Sequence, residues 1–131
     1  MNFELIETDK LGGGWKQGVA VVRNNKVYLR IVGNGTDYRV MTATAGEDVS
    51  GYRISPDNDR LIRAAIQLAG IYKCIPEEAK DGKGRSYIQL FTASQAKSES
   101  NDAFTKEIND IVANFFAIYD GLSVRNSIQS L

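Results

Sequence analysis

The chain has 131 residues, and its 43% hydrophobic and 24% charged residues are typical of a folded globular protein. A chain of this length buries roughly two-thirds of its unfolded surface, so we expect one domain over residues 1–131 that folds without a disulfide or a metal. The 16 basic and 16 acidic side chains cancel, which excludes a partner selected by net charge alone.

Cysteine usage and hydropathy together predict a cytoplasmic protein. Cys74 is the single cysteine and cannot form an internal disulfide, which fits a reducing compartment. The first residues lack the basic group and the apolar run of a secretion signal. No apolar stretch approaches the ~20 residues that a membrane span requires, so we expect no membrane association.

Two segments precede the clearest element of the chain. Residues 3–7 have the sequence Phe-Glu-Leu-Ile-Glu and predict a short strand. Residues 11–18 contain three consecutive glycines, which lose the most entropy when ordered and therefore indicate a mobile loop. Trp15, the only tryptophan, and Lys16 lie near the end of this loop. Both belong to the candidate binding surface that the following strands form.

A β-hairpin over residues 19–32 is the clearest element. Its two-residue turn would be Asn24-Asn25, because asparagine tolerates the positive φ that such turns demand. Regular pairing from this turn puts Val21 opposite Tyr28 and alternates the side chains between two faces. One face is entirely apolar and predicts the core side: Ala20, Val22, Val27, Leu29 and Ile31. The other mixes apolar and basic residues and predicts an outer side: Val19, Val21, Arg23, Lys26, Tyr28 and Arg30.

A further strand of this sheet is predicted at residues 37–42. A four-residue loop before it would set Ile31 opposite Tyr38, which keeps apolar residues on the buried face. The same register places Arg30 opposite Arg39 on the outer face. Like charges directly opposed destabilise a sheet, so we expect either solvent or an anionic group between these two side chains.

Apolar residues at helical spacing predict two helices. The first runs from Pro56 to about Cys74, with Ser55 as its cap and proline at the first helical position. The second begins near Asp102 and stops at Gly121. Both helices would pack an apolar stripe against the sheet and leave their polar residues in water.

The segment between the helices completes the predicted fold. Residues 77–85 form a charged loop that contains glycine, and residues 86–92 form a strand. The order is β-β-β-β-α-β-α, and a further brief strand at residues 52–54 stays open. Consecutive hairpins of this kind predict an α+β domain, in which a mostly antiparallel sheet of about five strands carries two helices on one face.

The residue types that carry catalysis and metal binding are either missing or explained by structure. The chain has no histidine, the commonest general base and metal ligand. Cys74 would lie at a helix C-terminus, where the dipole raises a thiol pKa. Asp57 and Asp59 suit a helix start better than a cation site, and residues 82–86 lack the glycine order of a phosphate loop. We therefore predict no enzymatic activity, no cofactor and no metal.

The first of two functional hypotheses is a non-catalytic interaction module, such as a small adaptor, inhibitor or accessory protein. It would bind a protein partner or a second copy of itself as a homodimer. The second helix and the tail carry more apolar surface than packing on one sheet requires. This surplus marks a candidate interface: Phe116, Ile118, Leu122, Val124 and Ile128.

The alternative hypothesis is a single-stranded nucleic-acid-binding protein that uses the outer face of the sheet at residues 19–42. Stacking aromatic side chains combined with a cationic groove bind single strands, often on an antiparallel sheet. Between Lys16 and Arg39, five basic residues stand against one acid. The candidate binding residues are Trp15, Lys16, Arg23, Lys26, Tyr28, Arg30 and Arg39.

Overall fold

A computed structural model describes residues 2–8, 13–44, 51–55, 57–94 and 101–122, with the backbone alone for residues 101–103. These ranges contain seven strands and two helices. In chain order they are β1 (Glu4–Glu7), β2 (Gln17–Arg23), β3 (Lys26–Gly33), β4 (Asp37–Thr42), β5 (Arg53–Ile54), α1 (Asn58–Ile71), β6 (Glu77–Lys80), β7 (Ser86–Ala93) and α2 (Asn101–Gly121).

The strands form a single sheet that both helices cover on one face. The seven strands follow the order β1-β2-β3-β4-β7-β6, with β5 beside β3. All pairs are antiparallel except β3 with β5. Residues of α1 and α2 share one hydrophobic core with residues of β2, β3, β4 and β7. The predicted α+β class is confirmed, and the sheet has more strands than predicted.

β6 lies where the sequence predicts a loop. Its Glu-Glu-Ala-Lys sequence has no β-branched or aromatic residue, so propensity gives no strand signal. The strand exists because it pairs with β7, from Glu77 opposite Gln89 to Lys80 opposite Ser86. It ends the strand order on this side of the sheet. Charged side chains suit such an edge because they oppose pairing with further strands.

The hairpin between β2 and β3 forms as predicted at its turn but not beyond it. Asn24 and Asn25 have φ values of 53° and 62°, which are those of a left-handed two-residue turn. The pairing is regular for only two steps, and then Val21 lies opposite Leu29 instead of Tyr28. Tyr28 is therefore the extra residue of a β-bulge, and it shifts the alternation of β3 by one position.

This bulge changes which residues of the hairpin share a face, although Leu29 and Ile31 stay on the core side as predicted. Leu29 and Ile31 lie opposite Val21 and Val19, and all four belong to the core beneath the helices. Tyr28 lies on the same side and is only 6% exposed. The prediction that Val19, Val21 and Tyr28 face outward is wrong, because one unpaired residue in β3 reverses which positions meet.

The opposite face of β2 and β3 is also buried. Ala20, Val22 and Val27 are at most 3% exposed and form a second apolar cluster with Ala43. The partly buried side chains that pack against this cluster are Ile6, Tyr52 and Ile54. Over this half of the sheet, neither face is the open basic surface that the sequence predicts.

The register between β3 and β4 differs from the prediction by two residues. Tyr38 pairs with Gly33, and Val40 pairs with Ile31. The connection is shorter than predicted because the Asn34 side-chain oxygen accepts hydrogen bonds from the backbone amides of residues 36 and 37, at 3.0 and 2.8 Å. A two-residue shift preserves the faces. Tyr38 and Val40 therefore lie in the core as predicted.

This register separates the two arginines that the sequence places opposite each other. Arg30 lies opposite Met41, and Arg39 lies opposite Val32. The predicted Arg30–Arg39 pair is therefore wrong. The two side chains are diagonal neighbours on adjacent strands, a relation in which Cα atoms are about 7–8 Å apart.

Both helices occupy the predicted segments, with one change at the start of α1. Its N-cap is Asp57, whose side chain accepts a hydrogen bond of 3.1 Å from the backbone amide of Arg60. Ser55 is not the cap, because its own amide extends β5 by donating to the Val27 carbonyl at 3.0 Å. α1 ends at Ile71, before the predicted Cys74, and Lys73 beyond it has a positive φ of 54°.

Candidate functional site

The outer face of the sheet, on the side away from the helices, is accessible along β4 and β7. Tyr38, Val40 and Leu90 point into the core, so the residues that alternate with them point outward. Phe91 is 42% exposed, and Arg39, Tyr87 and Gln89 on the same face are half-buried. We call this surface the outer strip, and its members are Arg30, Arg39, Tyr87, Gln89 and Phe91.

Arg39 is held in place at the centre of the outer strip. Its Nε and Nη2 atoms donate to the Gln89 Oε1 atom at 2.8 and 2.6 Å. Its guanidinium carbon lies 5.9 Å from the centroid of the Phe91 ring, on the adjacent strand. A cation this close to an exposed ring gains about 0.5–1 kcal/mol. A positive charge, an amide and an aromatic ring therefore form one ordered group.

The charges around the outer strip are mixed. Arg30 lies diagonally from Arg39 and is half-buried between Ala20 and Met41. Glu77 of β6 lies opposite Gln89, on the far side of β7. The strip therefore has two arginines over β3 and β4, flanked by the exposed Asp37 carboxylate at the start of β4 and by Glu77 at the β6 edge. A bound anion would be attracted to the β3–β4 side.

The remaining predicted binding residues on the surface lie at the two ends of β3. The amide of Lys16 donates to the carbonyl of Gly33 at 2.9 Å, so Trp15 and Lys16 lie at the end of β3 that leads to β4. Trp15 is half-buried and Lys16 is exposed. Lys26 lies opposite Arg23 at the hairpin turn, at the other end of the strand. Only the first two therefore lie near the Arg39 side of the sheet.

Arg23 and Tyr28 do not belong to the outer strip. Two guanidinium nitrogens of Arg23 donate to the two carboxylate oxygens of Asp120 at 2.9 Å each. The same guanidinium lies 4.0 Å from the ring centroid of Phe116 and 5.1 Å from that of Tyr28. Tyr28 packs edge-to-face on Phe116 and Tyr119 at 5.1 and 5.3 Å. Their predicted role in an exposed basic face is wrong, because the bulge turns Tyr28 toward α2.

The Arg23–Asp120 pair perturbs both charged groups. The hydrogen bond from Arg23 holds the pKa of the Asp120 carboxyl below its ordinary value. The carboxylate in turn raises the pKa of Arg23. The two pKa shifts mean that each charge stabilises the other in the folded protein. The pair therefore anchors the end of α2 to the hairpin.

The predicted interface residues separate into buried and partly buried positions. Phe116 is 0% exposed, so it has no surface to offer a partner, and its assignment to an interface is wrong. It is buried because both Arg23 and Tyr28 pack on its ring. Ile118 and Leu122 are partly buried against the core. Val124 and Ile128 lie outside the described residues.

Two kinds of exposed apolar residue are not predictable from the sequence. Phe91 lies on the outer strip. The alternation within residues 86–92 predicts which face of its strand Phe91 occupies, but the sequence does not predict which strand lies beside it. Ile66 within α1, Ile71 at its last position and Ile75 beyond it are 46%, 52% and 80% exposed. Their exposure has no signal in the helical periodicity, because Ile66 fits the apolar spacing of α1.

A second polar cluster joins α2 to the sheet. The hydroxyls of Tyr38 and Ser94 donate to the Glu107 carboxylate at 3.1 and 2.6 Å. Burial raises the pKa of Tyr38 to about 12. Ser94 is 3% exposed, so its hydroxyl is closed to a substrate. This cluster positions the helix instead of forming an open site.

Cys74 and the acidic residues have similarly local surroundings. The Cys74 thiol is half-buried, and burial raises its pKa, which lowers the thiolate fraction at neutral pH. The ranges that the structure describes contain no group of three or more His, Cys, Asp or Glu side chains placed to hold a metal ion. Neither helix in the described residues is long and apolar enough to cross a membrane.

Comparison with known proteins finds no match for this chain. No protein-family model matches the chain, and neither a curated protein nor a solved structure matches it. The outer strip is therefore interpreted from its own residues.

Proposed function

We propose that the protein is a non-catalytic binding module whose outer strip binds single-stranded nucleic acid. The observation that carries this proposal is the exposed Phe91 ring beside the Arg39 guanidinium, which Gln89 holds in a fixed orientation. A base that stacks on the ring would bring its phosphate close to the cation. Single-strand binders combine these two features, and sheets commonly carry them.

The spacing along β7 supports this proposal. Tyr87 and Phe91 point to the same face with Gln89 between them, so their Cα atoms are about 13 Å apart at the usual rise of a strand. Each ring offers a stacking surface that accepts any base. The Gln89 oxygen already accepts two hydrogen bonds from Arg39, and its amide nitrogen can donate to a base edge. The strip is therefore long enough for more than one nucleotide.

The orientation of Arg39 also supports it. A guanidinium has five N–H donors, and the two hydrogen bonds to Gln89 leave about three for a phosphate. Because Gln89 already restricts the side chain, binding loses less rotamer entropy than it would with an unrestrained arginine. Arg30, diagonal to Arg39 on β3, would add attraction for the next phosphate.

The direct test is a titration of the protein into fluorescein-labelled oligothymidylate, followed by anisotropy at low salt. Phe91→Ala should weaken binding by about 1–3 kcal/mol, the contribution of one base stacked on an aromatic ring. Arg39→Ala should weaken it and reduce the salt dependence, because each phosphate contact adds about −0.7 to the slope of log K against log salt for a single strand.

A matched control separates the site from overall charge. Arg63→Ala removes one positive charge from α1, where Arg63 pairs with Asp59, on the helix side of the sheet. It changes the net charge as Arg39→Ala does, and we expect it to leave affinity unchanged. Equal affinities for wild type, Phe91→Ala and Arg39→Ala would contradict the proposal, as would an absence of binding at low salt.

A second candidate function is self-association through α1. The observation that favours it is the exposure of Ile71 and Ile75, two large apolar side chains at the end of α1 and just beyond it. A second copy would bury them in an isologous interface. Sedimentation velocity should then find a concentration-dependent dimer that Ile75→Ser weakens. A wild-type protein that stays monomeric at every concentration contradicts this candidate.

A further inference from the structure

An open depression of about 710 Å³ lies at the β2–β3 turn, next to the N-terminal strand and α2. We call it the turn depression. Among the residues that line it, four carry carboxamides and two carry aromatic rings. The residues concerned are Asn2, Asn24, Asn25 and Asn109 for the amides, and Phe3 and Tyr52 for the rings.

Three of the four carboxamides are placed by the hairpin turn and by α2. Asn24 and Asn25 are the two left-handed residues of the hairpin turn, with φ values of 53° and 62°, so the turn itself fixes where their side chains start. Asn109 is in α2, and its amide nitrogen donates to the Thr105 carbonyl at 2.9 Å. That bond leaves its amide oxygen to accept from a ligand. Each carboxamide can both donate and accept hydrogen bonds.

The charges of the turn depression disfavour an anion. Arg23 lines it, but both ends of its guanidinium fork are committed to Asp120, and its face lies on Phe116. Glu4 also lines it and adds a carboxylate. A phosphate would meet this negative charge, and Arg23, the basic residue among the described lining residues, is already paired. The ligand should therefore carry no negative charge.

The rings define the remaining requirement. Phe3 is anchored on the core, since its ring lies 5.9 Å from that of Phe116. Tyr52 is half-buried against the second apolar cluster. Rings in such positions present apolar surface to a ligand, while the amides and Glu4 meet its polar groups. A volume of about 710 Å³ is within the range of small-molecule sites.

We propose that the turn depression binds a neutral polyhydroxylated ring, that is, a saccharide. Sugar hydroxyls donate to the carboxamide oxygens and to Glu4 and accept from the amide nitrogens. The C–H face of the sugar packs on an aromatic ring. This site shares no residue with the outer strip, so it goes beyond the nucleic-acid proposal and stands or falls separately.

The test uses the side-chain amide signals of the asparagines in a two-dimensional proton–nitrogen NMR spectrum. The probes are methyl glycosides of glucose, galactose, mannose and N-acetylglucosamine, with adenosine monophosphate as a charged comparison. We expect at least one glycoside to give saturable shifts at Asn24, Asn25 and Asn109. Adenosine monophosphate should leave these signals unmoved.

Two variants assign the shifts to the site. Asn25→Gly removes the amide and keeps the positive φ of the turn, and Asn109→Ala removes the amide from an exposed helical position. Each should weaken glycoside binding about tenfold, the size of one lost hydrogen bond. Gln67→Ala removes an exposed amide from α1 and should change nothing.

The backbone amide spectrum of each variant reports whether it folds as wild type does. Four glycosides without a shift at these amides would overturn the proposal. It would also be overturned by unchanged glycoside affinity in folded Asn25→Gly and Asn109→Ala, or by adenosine monophosphate binding at the same signals.

Discussion

Arg23 contacts three residues at one helix end. It forms a two-pronged ion pair with Asp120, lies on the ring of Phe116 and lies close to the ring of Tyr119. Its side chain is 15% exposed, whereas that of Asp120 is 46% exposed. The pair is thus half in water, and its contribution to stability is modest unless the aromatic contacts hold its geometry.

Replacing Asp120 with asparagine tests this pair through pH. Because the folded pKa of Asp120 is lowered, its contribution is present above the unfolded pKa and is lost as pH falls through the folded one. Asp120→Asn should lower the free energy of unfolding by about 1 kcal/mol at neutral pH, and by much less at roughly pH 3. Urea denaturation at the two pH values measures the difference.

The control for this prediction is Asp59→Asn, which breaks the i,i+4 pair with Arg63 on the surface of α1. Such pairs contribute about 0.3–0.5 kcal/mol, so the loss should be smaller. An equal loss in the two variants would mean that the aromatic surroundings of Arg23 add nothing.

Gly33 is required by space. A methyl group there would lie 2.9 Å from a Phe104 ring carbon and 3.0 Å from the Tyr38 ring. Gly33→Ala should therefore lower the free energy of unfolding by roughly 1–3 kcal/mol, as overpacking does. Gly82→Ala is the matched control because nothing lies within 4 Å of its added methyl. Chemical denaturation measures the free energy of unfolding of both variants, and equal losses would contradict this prediction.

At this scale the sequence predicts some roles and misses others for definite reasons. It identifies Asn24 and Asn25 because a turn requires residues that tolerate positive φ. The sequence predicts Ser55 as the cap of α1, although Asp57 is the cap in the structure. Both residue types are good caps, so local sequence does not distinguish them. The choice depends on Ser55 pairing with Val27 of β3, which is a tertiary contact.

The elements themselves are the part of the fold that sequence pattern predicts best. β1 to β4, β7 and both helices fall within a few residues of their predicted positions. The bulge at Tyr28 is not predictable in the same way. Judged from the sequence, regular pairing of β2 with β3 gives an apolar face as good as the one that the bulged pairing gives. What favours the bulge is the packing of Tyr28 between Phe116 and Tyr119.

The hairpin turn gives a prediction at the scale of an element. Asn25→Ala should destabilise the protein by about 1 kcal/mol, since alanine strains the left-handed conformation. Asn25→Gly should be neutral or stabilising, since glycine adopts it freely. Thermal unfolding of the two variants measures the order. Equal stability of the alanine and glycine variants would mean that the turn relaxes out of this conformation.

At the scale of the whole molecule, the order of the strands decides where the accessible surface lies. Sequence alternation alone places Tyr87, Gln89 and Phe91 on one side of β7. It cannot tell that β7 inserts beside β4, because α1 and β6 intervene in the chain. Only that placement brings Phe91 next to Arg39. Two of the five outer-strip residues, Arg30 and Arg39, are therefore predicted from sequence, and the aromatic ones are not.

The buried position of Phe116 gives a global prediction. Phe116→Ala removes a fully buried ring that contacts Tyr28, Phe115 and Tyr119, and it should lower the free energy of unfolding by about 3–5 kcal/mol. It should not change the sedimentation coefficient of the fraction that stays folded. A shift in oligomeric state without a loss of stability would restore the interface role that its burial excludes.

The edge of β3 changes partner at the bulge. The Ala43 amide donates to the Tyr28 carbonyl at 3.0 Å, and the Ser55 and Arg53 amides donate to the carbonyls of Val27 and Asn25 at 3.0 and 3.3 Å. The chain thus leaves this edge and returns to it with both ends fixed. These bonds come from backbone amides, so substitutions at Ala43, Arg53 or Ser55 leave this edge paired unless they introduce proline, which has no amide proton to donate.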